Sequence, residues 1–227
     1  MALAPRSLLK TKFLCFEGKP ANICAGGFFI VAIMSVNKRI FLAIEVSDEW
    51  KIAIREFIEA NRQTGYRWIA EENWHFTVLF IGDFPAGKLN SIYPLLQKCF
   101  AQIPAFYIDF DTFMYFPPNR PRMIWVNGKP SREFTHVETS AYKTLKHFYS
   151  DAYMEMNAKP SQKSIPHITL SRLKFSPKPL LQLHHTNPVL PVNAVKEIVL
   201  FESQLKPTGS LYTSLKKFTL KPLFSKH

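Results

Sequence analysis

From residue 38 onward, short apolar runs with strand character alternate with segments whose apolar residues recur every three or four positions. "KRIFLAIEV" (38–46) is β-branched and apolar and predicts a strand. Ser47 then stands as an N-cap, with Asp48 and Glu49 in the first turn. Trp50, Ile54, Phe57 and Ile58 mark one face of the helix beyond it. "YRWI" (66–69) predicts a short strand, and 75–82 a longer one ending at Gly82. Leu89, Ile92, Leu95, Leu96 and Cys99 give a second amphipathic helix reaching about Phe100.

The second half repeats this grammar. "FYIDFDTFMYF" (106–116) predicts a strand broken by Pro117 and Pro118. "RMIWV" (122–126) predicts another, with Asn127-Gly128 as a turn. Ser131 caps a long helix whose inward face is Phe134, Val137, Ala141, Leu145 and Phe148; the polar stretch 150–164 is a predicted loop. "HITLSRL" (167–173) predicts a strand, 184–193 a proline-punctuated loop, and 195–205 with 211–220 two closing strands around "KPTG". The order strand, helix, two strands, helix, then two strands, helix and three strands predicts one α+β domain of two lobes, helices packed outside sheets.

Composition sharpens this. With 47% apolar residues and 20 Phe, the chain can bury a substantial core. A net charge of +12 suits an anionic partner. Cys15, Cys24 and Cys99 show no paired spacing, which suits a reducing compartment, and a cytoplasmic monomer is the expectation. No apolar run approaches the roughly 20 residues of a membrane span. The closest, "ICAGGFFIVAIM" (23–34), comes after four basic residues in a signal-like layout, but no small-x-small cleavage site stands beyond it. Met34 opens directly onto a strand, so residues 1–33 are expected to be an N-terminal extension, an over-extended start, with the domain spanning 34–227. The extension carries four basic residues and Glu17, a net +3, which leaves +9 on the domain.

Two stretches carry candidate chemistry: "WHFTVLFIG" (74–82) and "PHITLS" (166–171). Alternation along a strand puts His75, Thr77 and Leu79 on one face, with Phe76, Val78 and Phe80 on the other. It likewise groups His167, Thr169 and Ser171 opposite Ile168 and Leu170. Each strand can therefore bury its apolar set while imidazole and hydroxyl project together. Two half-buried structural histidines would give the same pattern singly; their recurrence on matching strands favours a joint role. A neutral imidazole accepts a proton from water and an imidazolium gives one to a leaving oxygen, so facing histidines suit displacement at phosphorus. The threonine hydroxyls can hold the non-bridging oxygens. No H-E-x-x-H, clustered carboxylates or Cys-rich spacing suggests a metal, and no cofactor is expected. Strand geometry allows either histidine to be the acid.

"HFTV" and "HITL" resemble the paired H-x-T-x motifs of the two-histidine (2H) phosphoesterases, in the branch named RNA 2′,3′-cyclic phosphodiesterase or 2′-5′ RNA ligase. "RIFLAIEVSDE", "YRWIAEENWHFTVLFIGDFP", "RPRMIWVNG", "PHITLSR" and "FESQLKPTGSLYTSLKKFTL" carry the resemblance in order across about 38–220. It implies a bilobal fold of two pseudo-symmetric antiparallel-sheet lobes, with helices outside and a central cleft. It also implies hydrolysis of RNA 2′,3′-cyclic phosphate ends to 2′-phosphates, with RNA as the partner. By the resemblance His75 is the proton donor and His167 the proton acceptor, Thr77 and Thr169 hold phosphate oxygens, and Arg172 binds phosphate. Strict alternation puts Arg172 on the wrong face, so it requires a twist or bulge. Phe41 on the opening strand is a candidate for stacking on a base, although a core role is the commoner one for such an aromatic.

Two other activities fit the same residues: joining or cleaving 2′-5′ linkages, and RNA binding without catalysis. His136 and His147 on the long helix, the pair His184-His185, and Asp109 with Asp111 read as surface or structural residues, while Lys216, Lys217 and Lys221 fit an RNA-facing stripe and an ordinary charged surface equally well.

Overall fold

A computed structural model describes residues 37–62, 66–148, 164–173, 182–184, 186, 188–207 and 209–223. The N-terminal extension and most of the predicted loop 150–164 lie outside them. Nine strands and three α-helices are described: β1 (Asn37–Glu45), α1 (Asp48–Ala60), β2 (His75–Pro85), α2 (Leu89–Phe100), β3 (Phe106–Ile108), β4 (Phe110–Phe116), β5 (Met123–Gly128), α3 (Arg132–Leu145), β6 (His167–Arg172), β7 (Asn193–Val195), β8 (Glu197–Lys206) and β9 (Gly209–Thr219). Antiparallel pairing builds one sheet in the order β2-β1-β8-β9 and a second in the order β4-β5-β6, with β3 and β7 as a short ribbon. The expected α+β architecture is present, with each His-x-Thr strand at the edge of its sheet.

Local chemistry sets the helices as the pattern predicts. Ser47 accepts from the Trp50 backbone N–H and Ser131 from that of Phe134. Trp50, Ile54 and Phe57 are buried, as are Phe134, Val137, Ala141 and Leu145. Each outer helix also reaches across the fold. Phe57 of α1 stacks on Phe113 of β4 at 4.1 Å between ring centroids, and Trp50 meets both Phe76 of β2 and Phe110 of β4 edge-on. On the other side α3 packs on β2, and Phe148 beyond its end approaches Phe84. Both sheets thus share one apolar core.

Several expectations need correction. The segment 66–69 is no strand; Trp68 makes a single antiparallel bridge to Ser171. The run 106–116 is split between two sheets at Asp109, and β7 was not anticipated. β2 continues past Gly82, whose φ of 83° serves a register shift rather than an end. Leu95 is 43% exposed and lies off the buried face of α2. Asn127-Gly128 is not a turn but the end of β5, where Asn127 pairs with His167. Glycine is needed there by close packing. A Cβ at 128 would lie 2.5 Å from Ile108 Cγ2 and 3.0 Å from both the Asp109 carbonyl oxygen and Pro166 Cγ. Because one obstacle is backbone, Gly128→Ala is expected to cost about 1–3 kcal/mol, read as a lowered denaturation midpoint.

Candidate active site

The two His-x-Thr strands line one cleft of about 1150 Å³, into which His75, Thr77, His167, Thr169 and Arg172 all face. The imidazoles are held in the same way. Nδ1 of His75 lies 2.8 Å from the Asn73 carbonyl, and Nδ1 of His167 lies 2.9 Å from that of Ile165. Each carbonyl belongs to the residue two places upstream and accepts only if Nδ1 carries hydrogen. That fixes the tautomer and leaves Nε2 as the reactive nitrogen. Nε2 of His75 is 3.1 Å from Thr77 Oγ1.

Past the threonines both strands depart from alternation, at the same step. Ala43 pairs with Thr77 and Leu42 with Leu79, so Val78 is an extra residue in β2. Trp125 pairs with Thr169 and Ile124 with Ser171, so Leu170 is the extra residue in β6. A bulge of this kind inverts the phase of the residues beyond it. Leu79, expected beside the histidine, is therefore buried, while Phe80 lines the cleft. Ser171, also expected on the cleft face, is fully buried, and its hydroxyl donates to the Arg67 carbonyl at 2.9 Å. Arg172 reaches the cleft because of the same inversion. The segment 67–69 secures it: Ile69 N–H donates to the carbonyl of the bulged Leu170 at 2.8 Å.

Ring packing differs between the lobes. The ring of Trp125 stacks on His167 at 3.8 Å and is itself backed by Phe116 at 3.5 Å. His75 sits instead against Phe41 at 4.9 Å and edge-on to Tyr212 at 5.2 Å. Phe41 is only 3% exposed, with Phe201 and Tyr212 also on its ring. It supports His75 and leaves little free face for a base. Burial pushes the His75 imidazole down to about 4, opposed by its carbonyl bond and reinforced by the charges of His167 and Arg172. His167 is lowered by burial and by Arg172, against its own carbonyl bond. Among the described residues no group of three or more His, Cys, Asp or Glu side chains is placed to hold a metal ion. Nor is any described helix long and apolar enough to cross a membrane.

A sequence model of the family described as LigT like Phosphoesterase matches residues 44–125, the stretch containing the first motif. A Thermotoga maritima protein named RNA 2′,3′-cyclic phosphodiesterase is 29% identical over 78% of this chain and 92% of its own length. One of the same name from Archaeoglobus fulgidus is 26% identical over 79% and 99%. The chain is thus similar to the LigT-like phosphoesterases across its first-motif stretch and, along most of its length, to proteins named for cyclic-phosphate hydrolysis. Solved structures share the fold: one from Thermus thermophilus has a TM-score of 0.68 at 23% identity, covering 83% of this chain and all of that one. Apo E. coli LigT has a TM-score of 0.65 at 23% identity, covering 82% and 98%.

Within this cleft lie the histidines and threonines that the strand pattern singled out and the Arg172 that the resemblance named; Arg39, Trp68, Asn73, Phe80 and Tyr212 also line it and were not anticipated. His184 lies in an irregular segment whose backbone bonds to Asn61, and Lys217 pairs with Glu45 at 2.8 Å. The buried imidazoles also make stability depend on pH. The folded state binds their protons less readily than the unfolded chain, so stability is complete above pH 6.5 and falls as the pH drops towards 4. For His75 the loss is roughly 3 kcal/mol across that window. Denaturant titrations from pH 7 to 4 should show this slope, and His75→Gln should flatten it.

Proposed function

We propose that the protein hydrolyses RNA ends bearing a 2′,3′-cyclic phosphate, giving a 2′-phosphomonoester and a free 3′-hydroxyl. The observation that carries this reading is the matched presentation of two imidazoles in one cleft, each with Nδ1 tied to a carbonyl and a threonine two residues on. Relatives from Thermotoga maritima and Archaeoglobus fulgidus bear the name of this activity. Structures of E. coli LigT with 3′-AMP and with phosphate support a nucleotide phosphate as the ligand.

His167 acts as base, its Nε2 taking a proton from water as the water oxygen bonds to phosphorus. The P–O3′ bond breaks on the opposite side, and His75 gives its Nε2 proton to the departing O3′. Arg172 and the hydroxyls of Thr77 and Thr169 hold the non-bridging oxygens, where charge accumulates. The cycle closes when His167 releases its proton and His75 regains one. Burial favours neutral imidazoles near pH 7; a bound phosphate supplies the negative charge that lets His75 hold its proton.

The test is turnover of an oligonucleotide ending in a 2′,3′-cyclic phosphate, in EDTA. His75→Ala and His167→Ala are each expected to lose about 10²–10⁴-fold in kcat. A phosphodiester with a nitrophenyl leaving group, which needs no acid, should recover His75→Ala and not His167→Ala. Undiminished turnover in both variants would refute the mechanism, and no turnover by the wild type on any cyclic phosphate would refute the function.

A pH profile offers a second check. Since kcat/KM reports the free enzyme, and both imidazoles titrate there below 6.5, the acid's proton is lost early. The profile should peak on the acid side of pH 6.5 and fall about tenfold per unit above it.

A further inference from the structure

The register of β1 on β2 repeats step by step in β5 on β6. Glu45, Ala43 and Phe41 stand opposite His75, Thr77 and Phe80, as Asn127, Trp125 and Met123 stand opposite His167, Thr169 and Arg172. Phe80 therefore occupies in the first lobe the place that Arg172 occupies in the second. The first lobe lacks a cation on the strand itself, and the neighbouring strand provides one. Arg39 of β1 carries its guanidinium 4.8 Å above the centroid of the Phe80 ring and lines the same cleft. It is exposed, and among the described residues it forms no ion pair, although Asp83 stands opposite it in register. An aromatic face holds the guanidinium without consuming its planar fork of donors, which matches a phosphate.

Arg172 and Arg39 serve different anions. Along β1, Arg39 stands six residues from Glu45, the partner of His75, a span of roughly 20 Å at about 3.3 Å per residue. That span places its guanidinium beyond the phosphate held between the histidines. On an RNA end the next anion is the phosphate on the 5′ side of the terminal nucleotide. Resting on the function proposed above, we infer that Arg39, supported by Phe80, binds that 5′ phosphate and so favours RNA ends over free nucleoside 2′,3′-cyclic phosphates.

Calorimetric titration with adenosine 2′-phosphate and adenosine 2′,5′-bisphosphate, product analogues without and with that phosphate, tests the assignment. Wild type should bind the bisphosphate about tenfold more tightly, the scale of one charge-assisted contact at an open site. The ratio should fall close to one in Arg39→Gln, remain partly in Arg39→Lys, and shrink in Phe80→Leu. An unchanged ratio in Arg39→Gln, or no preference in wild type, would overturn the assignment. So would loss of the preference in Lys206→Gln alone, which would move the contact to the β8–β9 hairpin. Because binding is read, failure of wild type to hydrolyse any cyclic phosphate, the oligonucleotide end included, would overturn the function while the titration still decides Arg39.

Discussion

One extra residue after each His-x-Thr triplet governs what the cleft can contain. A regular strand would carry the side chain five places beyond each histidine into the core. The bulges at Val78 and Leu170 turn that place outward, so Phe80 and Arg172 join the cleft while Leu79 and Ser171 go inward. Edge strands accept such an insertion because one side of their backbone has no ladder to disrupt. β2 and β6 are both edges. At Leu170 the carbonyl freed by the bulge is taken by Ile69, which explains why an otherwise irregular segment is pinned there. A buried carbonyl without that partner would cost about 1–3 kcal/mol.

The imidazoles are poised by two opposing effects. Burial disfavours the charged ring, while each Nδ1–carbonyl bond favours it and fixes its orientation. Burial dominates and favours neutral rings beside the cation of Arg172. An anion entering there relieves both unfavourable features at once: it pairs with the guanidinium and restores basicity to the rings. On the function proposed above, anion binding and proton uptake are therefore linked. The helices make this durable. α1 packs on β4 and α3 on β2, so neither sheet can shift without disturbing aromatic contacts from the other half of the chain.

How much of this was legible in the sequence depends on where periodicity holds. His75 and Thr77, like His167 and Thr169, alternate with Phe76 and Ile168, and the period-two rule placed them correctly. It failed at Leu79, Phe80 and Ser171, because an unbroken apolar run such as "TVLFI" carries no phase. Arg172 was legible as a conflict: a basic residue where alternation demanded a core position already called for a bulge. Asn127-Gly128 misled for a related reason. Glycine there answers the close approach of Ile108 and the Asp109 carbonyl, a tertiary demand that a local turn rule does not contain. Arg39 and Trp125 gave no signal, since their roles depend on which strands become neighbours.

The repeated framework also shows how a near-symmetric site supports unequal roles. The residue opposite each threonine is Ala43 in one lobe and Trp125 in the other. Trp125 lies flat on His167 and is backed by Phe116, so that ring is clamped across its face. Ala43, fully buried, offers no ring at the matching position. His75 meets instead the tilted ring of Phe41 and the edge of Tyr212, while its Nε2 touches Thr77. A clamped ring with a free Nε2 suits a base that must meet water at one fixed place. A ring whose Nε2 already rests against a hydroxyl suits an acid, because Thr77 can accept from the protonated nitrogen until O3′ departs. The two strands are alike in backbone and bulge, and the difference between an alanine and a tryptophan at one paired position gives the two imidazoles different surroundings, which the roles proposed above would use.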